Sequence, residues 1–159
     1  MNPILRNILA VLAGLIAGNV VNTDIIGSLE FACKVAGSKL IVVLGHSNCG
    51  AIKGACDHIE MGNLTELLSK IQPAVYEERT ISDPELRNSK NSEFVEQVTA
   101  LNVNRSVISI VNRSYILEQM IEKGEIAIIG AVHNLETGIV EFMEDTYISC
   151  KKDIKAKFV

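Results

Sequence analysis

Two side chains with the chemistry of metal ligands stand three residues apart, His46 and Cys49, in the stretch Leu-Gly-His-Ser-Asn-Cys-Gly-Ala. A neutral imidazole nitrogen and a thiolate are both good donors to zinc, and this H-x-x-C spacing is the tightest pairing of His with Cys in the chain that reads as a ligand pair. The same residues also suit a packed thiol beside a capping histidine, so the spacing alone leaves both readings open. A phosphate-binding loop is excluded: after Gly45 and Gly50 a Walker A sequence requires Lys at once, and Ala51 stands there, with Lys53 two residues late.

The elements that must position this pair follow from the flanking residues. Leu40-Ile-Val-Val-Leu44 is a run of five apolar residues, as a strand buried on both faces would be, and it should end at Gly45. Gly50 and the small residues after it let a helix start close against that strand. The pair is therefore expected at the carboxyl end of a strand and the mouth of a helix, where open α/β sheets bind ligands. Both side chains should converge there on one point, while Cys33, Cys56 and Cys150 stay apart from it.

The chain resembles the β-class carbonic anhydrases. The resemblance is carried by Gly18-Asn19-Val20-Val21, Gly27-Ser28-Leu29-Glu30-Phe31-Ala32, and Val42 to Ala51 with its G-H-x-x-C-G-A block. The tail continues it in the right order, with Gly124-Glu125-Ile126, Gly130-Ala131 and Thr137-Gly138-Ile139-Val140-Glu141-Phe142. It implies an α/β fold with a mainly parallel sheet flanked by helices and an antiparallel strand at its end. It implies zinc (Zn2+) held in part by His46 and Cys49, reversible hydration of carbon dioxide to bicarbonate, and a homo-oligomer built from dimers. The family carries a further motif, Cys-x-Asp-x-Arg, upstream of its Gly-Asn segment, which supplies more of the site. Upstream of Gly18 this sequence has neither Cys nor Asp, and Arg6 is the only charged side chain. The expectation is two of the family's four protein ligands, and a fold without the first ligand-bearing strand.

The whole chain of 159 residues is one domain's worth, with 48% hydrophobic residues and no Trp, so aliphatic side chains must do the packing. Its net charge of −4 does not suggest a nucleic-acid partner. Four Cys at irregular spacing do not form a secreted disulfide framework, which makes the cytoplasm the expected compartment. Residues 18–150 form the expected domain, between an apolar segment 1–17 and a basic tail 151–159. The run 8–17 is about half of what a membrane span needs, so membrane contact or export through it is the less favoured reading. It is instead expected to cover the open edge of the Leu40–Leu44 strand, or to serve a partner chain.

Between these landmarks the pattern predicts a helix from Ile25 to about Ala36, capped at residues 22–24, with Ile26, Leu29, Ala32 and Cys33 on its inner face. After the Cys49 helix, with Cys56 in the core and Asp57 and His58 in solvent, another helix is expected from Asn63, with Glu66 completing a capping box. Residues 82–92 read as a surface connection. A helix from Phe94 to Val111 has a suspected break near residues 102–104, where Asn102 and Asn104 interrupt the apolar spacing. A short helix from Ser114 and a strand 126–132 follow. His133 then reads as a turn residue, lacking any tight partner as a ligand, before a hairpin strand through Ile139, Val140 and Phe142.

Overall fold

A computed structural model describes residues 18–149. The apolar segment 1–17, Cys150 and the tail 151–159 lie outside the described residues. Helix α1 (Thr23–Glu30) starts because the Asn22 side chain accepts a hydrogen bond from the Ile25 N–H at 2.9 Å, satisfying one of the free donors of the first turn. It runs into a single π-helical turn, Phe31–Val35, which leaves Ala32 half-buried while Cys33 sits in the core.

Strand β1 (Leu40–His46) is two residues longer than the apolar run predicts. It continues because β2 (Ala127–His133) pairs with it in parallel along its whole length, down to His46 opposite His133. Nor is β1 buried on both faces. Ile41, Val43 and Gly45 are buried, whereas Val42, Leu44 and His46 are only partly covered. β3 (Val140–Ile148) pairs antiparallel with β2, giving the order β1-β2-β3 and the expected parallel pair with an antiparallel strand at its end. Among the described residues no strand pairs with the outer edge of β1.

The β2–β3 register slips between Ile128 and Gly130, where Ile148 and Met143 are the successive partners. Thr146 patches the gap: its hydroxyl accepts from the Gly130 N–H at 2.7 Å and donates to the Met143 carbonyl at 2.6 Å. A buried N–H that the bulge would strand is thereby satisfied.

Between the strands lie α2 (Gly50–Cys56), α3 (Gly62–Ser69), α4 (Gln72–Glu77), α5 (Ser92–Arg113) and α6 (Tyr115–Glu122). α3 does not start with the predicted capping box. Met61 is its N-cap, the Thr65 hydroxyl accepts from the Met61 N–H at 2.8 Å, and Glu66 pairs forward with Lys70 at 3.1 Å. α6 starts as expected, with the Ser114 hydroxyl accepting from the Leu117 N–H.

α5 is one unbroken helix of 22 residues. Its buried side chains form two rows at i, i+4 spacing, through Phe94, Val98, Asn102, Ser106 and Ile110, and through Val95, Thr99, Val103, Val107 and Val111. The suspected break is absent because Asn102 and Ser106 have buried polar partners. The Asn102 amide donates to the Gly18 carbonyl at 2.6 Å, and the Ser106 hydroxyl to the Asn19 carbonyl at 2.7 Å. One end of α5 packs with α2, α3 and α4, and the other with the sheet, α1 and α6.

α5 meets the sheet where the strands have no side chain. A Cβ at Gly45 would lie 2.7 Å from Val103, and one at Gly130 would lie 2.6 Å from it. Gly130→Ala should therefore destabilise the fold by about 1–3 kcal/mol, the usual range for overpacking. In a Val103→Ala background the same change should cost measurably less. Denaturant unfolding of the four proteins in that cycle checks this.

The predicted surface connection is anchored by one buried ion pair. Glu78, 1% exposed, accepts from Arg87 at 2.6 Å, from the Thr80 hydroxyl and N–H, and from the Ile81 N–H. Arg87 also donates to the Val75 and Ile81 carbonyls and lies over the Phe94 ring. Burial pushes the Glu78 carboxyl up, but these hydrogen bonds outweigh it and hold it below its ordinary value of 4.5. Above that value Glu78 is charged in both folded and unfolded chains, and its contribution to stability is complete. As pH falls, the unfolded chain takes up the proton first, and the contribution is lost through the lower folded value. Unfolding free energies measured from about pH 5 to pH 3 should fall more steeply for the wild type than for Glu78→Gln.

Candidate metal centre

His46 is the last residue of β1, and its position in the alternation places its side chain on the face turned away from α5. Its Nδ1 lies 2.9 Å from the Ser47 carbonyl oxygen. A carbonyl only accepts, so a hydrogen bond at this contact puts a proton on Nδ1 and leaves Nε2 as the nitrogen that a metal would use. That is the arrangement of a metal-binding histidine, with one nitrogen tied to an outer partner and the other free to ligate.

The chain then turns through Asn48, which adopts a left-handed conformation at φ 57° and whose side chain accepts from Lys53 at 2.9 Å. Cys49 follows as the N-cap of α2, 4% exposed. Its side chain makes no capping hydrogen bond, so the sulfur is not committed to the helix it precedes. The expected placement of the pair across a strand-to-helix turn is thus observed.

Cys33 and Cys56 are both buried in the core, as expected. Burial raises the Cys33 thiol and pushes Cys56 up to about 12, so both remain neutral thiols at pH 7 and are poor ligands. Asp57 and His58 are exposed, as expected. Asp57 nevertheless accepts from the Ser89 N–H at 2.8 Å, and its hydrogen bonding with Ser89 lowers its carboxyl. His133 ends β2 instead of opening the turn; its carbonyl accepts from the Ser47 N–H at 2.9 Å. Among the described residues no group of three or more His, Cys, Asp or Glu could hold a metal ion. The donor chemistry of His46 and Cys49 suits zinc at two positions, and the described residues supply no third.

Two features near the pair had no signal in the sequence. A cavity of about 430 Å³, lined by residues that include Ser47, Thr99, Val132, Asn134 and Phe142, opens on the α5 side of the strand ends; neither His46 nor Cys49 lines it. Gly18, with φ +60°, is pressed against α2, and a Cβ there would lie 3.1 Å from Ala51 and 2.9 Å from Ile71. The bonds from Asn102 and Ser106 hold Gly18 and Asn19 in that place.

The fold is that of the β-carbonic anhydrases. The Coccomyxa enzyme, solved in complex with acetazolamide, superposes with a TM-score of 0.71 at 22% identity, covering 88% of this chain and 63% of that one. Tetrameric β-carbonic anhydrases from the ascomycete Sordaria macrospora give 0.67 at 24% identity, covering 80% and 65%. A family model described as carbonic anhydrase matches residues 12–140. A carbonic anhydrase of Mycolicibacterium smegmatis is 29% identical over 130 residues, 79% of this chain and 59% of its own length. The chain belongs to the β-class carbonic anhydrase family, and it spans about three-fifths of the length of the curated relatives it matches. Among the described residues no helix is long and apolar enough to cross a membrane.

Asn102→Ala should leave the buried Gly18 carbonyl without its donor and cost about 1–3 kcal/mol. Denaturant unfolding gives that cost. Amide exchange should show residues 19–21 opening more readily than in the wild type.

Proposed function

We propose that this chain forms part of a zinc site of a β-class carbonic anhydrase, whose reaction is the reversible hydration of carbon dioxide to bicarbonate. The observation that carries the reading is His46, with Nδ1 committed to Ser47 and Nε2 left for a metal, three residues before a buried cysteine whose sulfur caps nothing. His46 and Cys49 are the residues that would hold zinc. When bound, zinc supplies a Lewis acid that turns water into a nucleophile near neutral pH.

The chain's own residues do the rest. The Ser47 carbonyl holds the imidazole at Nδ1, and the packing that leaves Cys49 4% exposed keeps bulk water from its sulfur. Gly18 itself lies close to the first turn of α2, where a Cβ on it would come within 3.1 Å of Ala51. The family's Cys-x-Asp-x-Arg motif has no counterpart in residues 1–17. A zinc site takes three or four protein ligands, so residues 1–159 alone should bind zinc weakly and catalyse slowly. A second reading, a folded module without catalysis, is favoured by the lack of a third donor among the described residues.

The free thiols Cys33, Cys49 and Cys56 suit a reducing cytoplasm. The tetrameric Sordaria relatives support a homo-oligomer, and residues 18–150 are the unit that would assemble.

The test is to purify residues 1–159, saturate them with zinc, and follow carbon dioxide hydration beside His46→Ala. The expected rate is at least about 100-fold below that of complete family members, in line with the loss of whole ligands where an outer partner alone is worth 10–100-fold. A rate close to theirs, abolished by His46→Ala, would show that other residues of this chain complete the site.

A further inference from the structure

We infer that Ser47 is a positioning residue for the metal pair, its hydroxyl tying the turn at residues 134–138 to the imidazole of His46. The inference rests on the zinc reading of His46 and Cys49 and adds to it a residue from outside the ligand set.

Ser47 makes hydrogen bonds in three directions. Its N–H donates to the His133 carbonyl at 2.9 Å, and its carbonyl accepts from His46 Nδ1 at 2.9 Å. Its hydroxyl accepts from the Leu135 N–H at 2.9 Å. The carbonyl that sets the imidazole thus belongs to a residue pinned at two other points by the β2–β3 connection.

That connection is itself well held. The Asn134 side chain accepts from the Glu136 and Thr137 N–H groups, and its backbone exchanges hydrogen bonds with Gly138 and Ile139 at 2.8 Å. A turn closed in this way presents the Leu135 N–H at a fixed place. Without the hydroxyl, Ser47 keeps its bond to His133 at the end of β2 but has no link to the turn. The plane of its carbonyl is then freer to rotate, and the ring that follows it loses its fixed direction. A zinc–nitrogen bond of about 2.0–2.1 Å does not tolerate such drift. The lost hydrogen bond lies at an exposed position, where water replaces it at small cost, so the deficit should appear in metal binding and not in stability.

The experiment compares the full chain with Ser47→Ala and Ser47→Thr. The readouts are imidazole ¹⁵N shifts of the metal-free protein, Co2+ affinity by chelator competition, and exchange of the Leu135 amide. Wild-type His46 should show the Nδ1–H tautomer. Ser47→Ala should mix tautomers, speed Leu135 exchange, and weaken Co2+ binding about 10-fold, the low end for an outer partner. Ser47→Thr, which keeps the hydroxyl, should restore all three.

An Nε2–H tautomer in the wild type would overturn the inference even if Ser47→Ala failed to fold. So would Co2+ binding by Ser47→Ala as tight as the wild type's. Equal Co2+ binding by wild type and His46→Ala is a distinct result: it removes the zinc reading, and this inference falls with it.

Discussion

The close approach of α5 to the sheet is the constraint on which the rest of the molecule depends. Val103 sits against two glycines on neighbouring strands, and any Cβ at either would come within 2.7 Å of it. With that clearance the helix lies low enough for Val107 and Ile110 to pack with Ile41, Val43 and Ile128 in one cluster. Gly45 directly precedes His46, so the contact that seats the helix also holds the end of the strand from which the imidazole projects. His46 is thus positioned from behind by a helix packed against the residue before it.

What the sequence made legible was local. The apolar run before Gly45, the H-x-x-C turn and the small residues after it read directly as strand, turn and helix, because their signals lie within one another's reach. The caps at Asn22 and Ser114 were readable for the same reason: a short polar side chain bonds an N–H three residues on. The parallel pair with its antiparallel neighbour followed from the order of apolar runs and from the family resemblance.

What was not legible depended on partners far along the chain. Asn102 and Ser106 look like faults in an apolar row until Gly18 and Asn19 are placed against them, more than eighty residues away. Glu78 and Arg87 stand in a stretch of charged and polar residues, and nothing in their types shows that Glu78 is buried against a half-buried Arg87. β1 outruns its apolar residues because the extension is stabilised by β2, not by its own composition. The capping box at α3 failed for a local reason instead: the Thr65 hydroxyl takes the Met61 N–H four residues back, and Glu66 pairs with Lys70 four residues on. The candidate site divides along this line: His46 and Cys49 sit close in sequence and could be read together, whereas the hydrogen bond from the Leu135 N–H to the Ser47 hydroxyl spans two loops and could not.

α5 belongs to both apolar clusters, with Phe94, Val95 and Val98 in one and Val103, Val107 and Ile110 in the other. At roughly 33 Å it is long enough to traverse the domain. Neither cluster can therefore be dismantled while α5 stays intact in the other without stripping half a helix of its packing, and isolated half-helices of that length are marginal in water. The molecule is in this sense a single cooperative unit. The turn carrying His46 and Cys49 is tied to that spine at both ends, through Gly45 against Val103 and Thr99 and through Cys49 in the cluster that holds Phe94, Val95 and Val98.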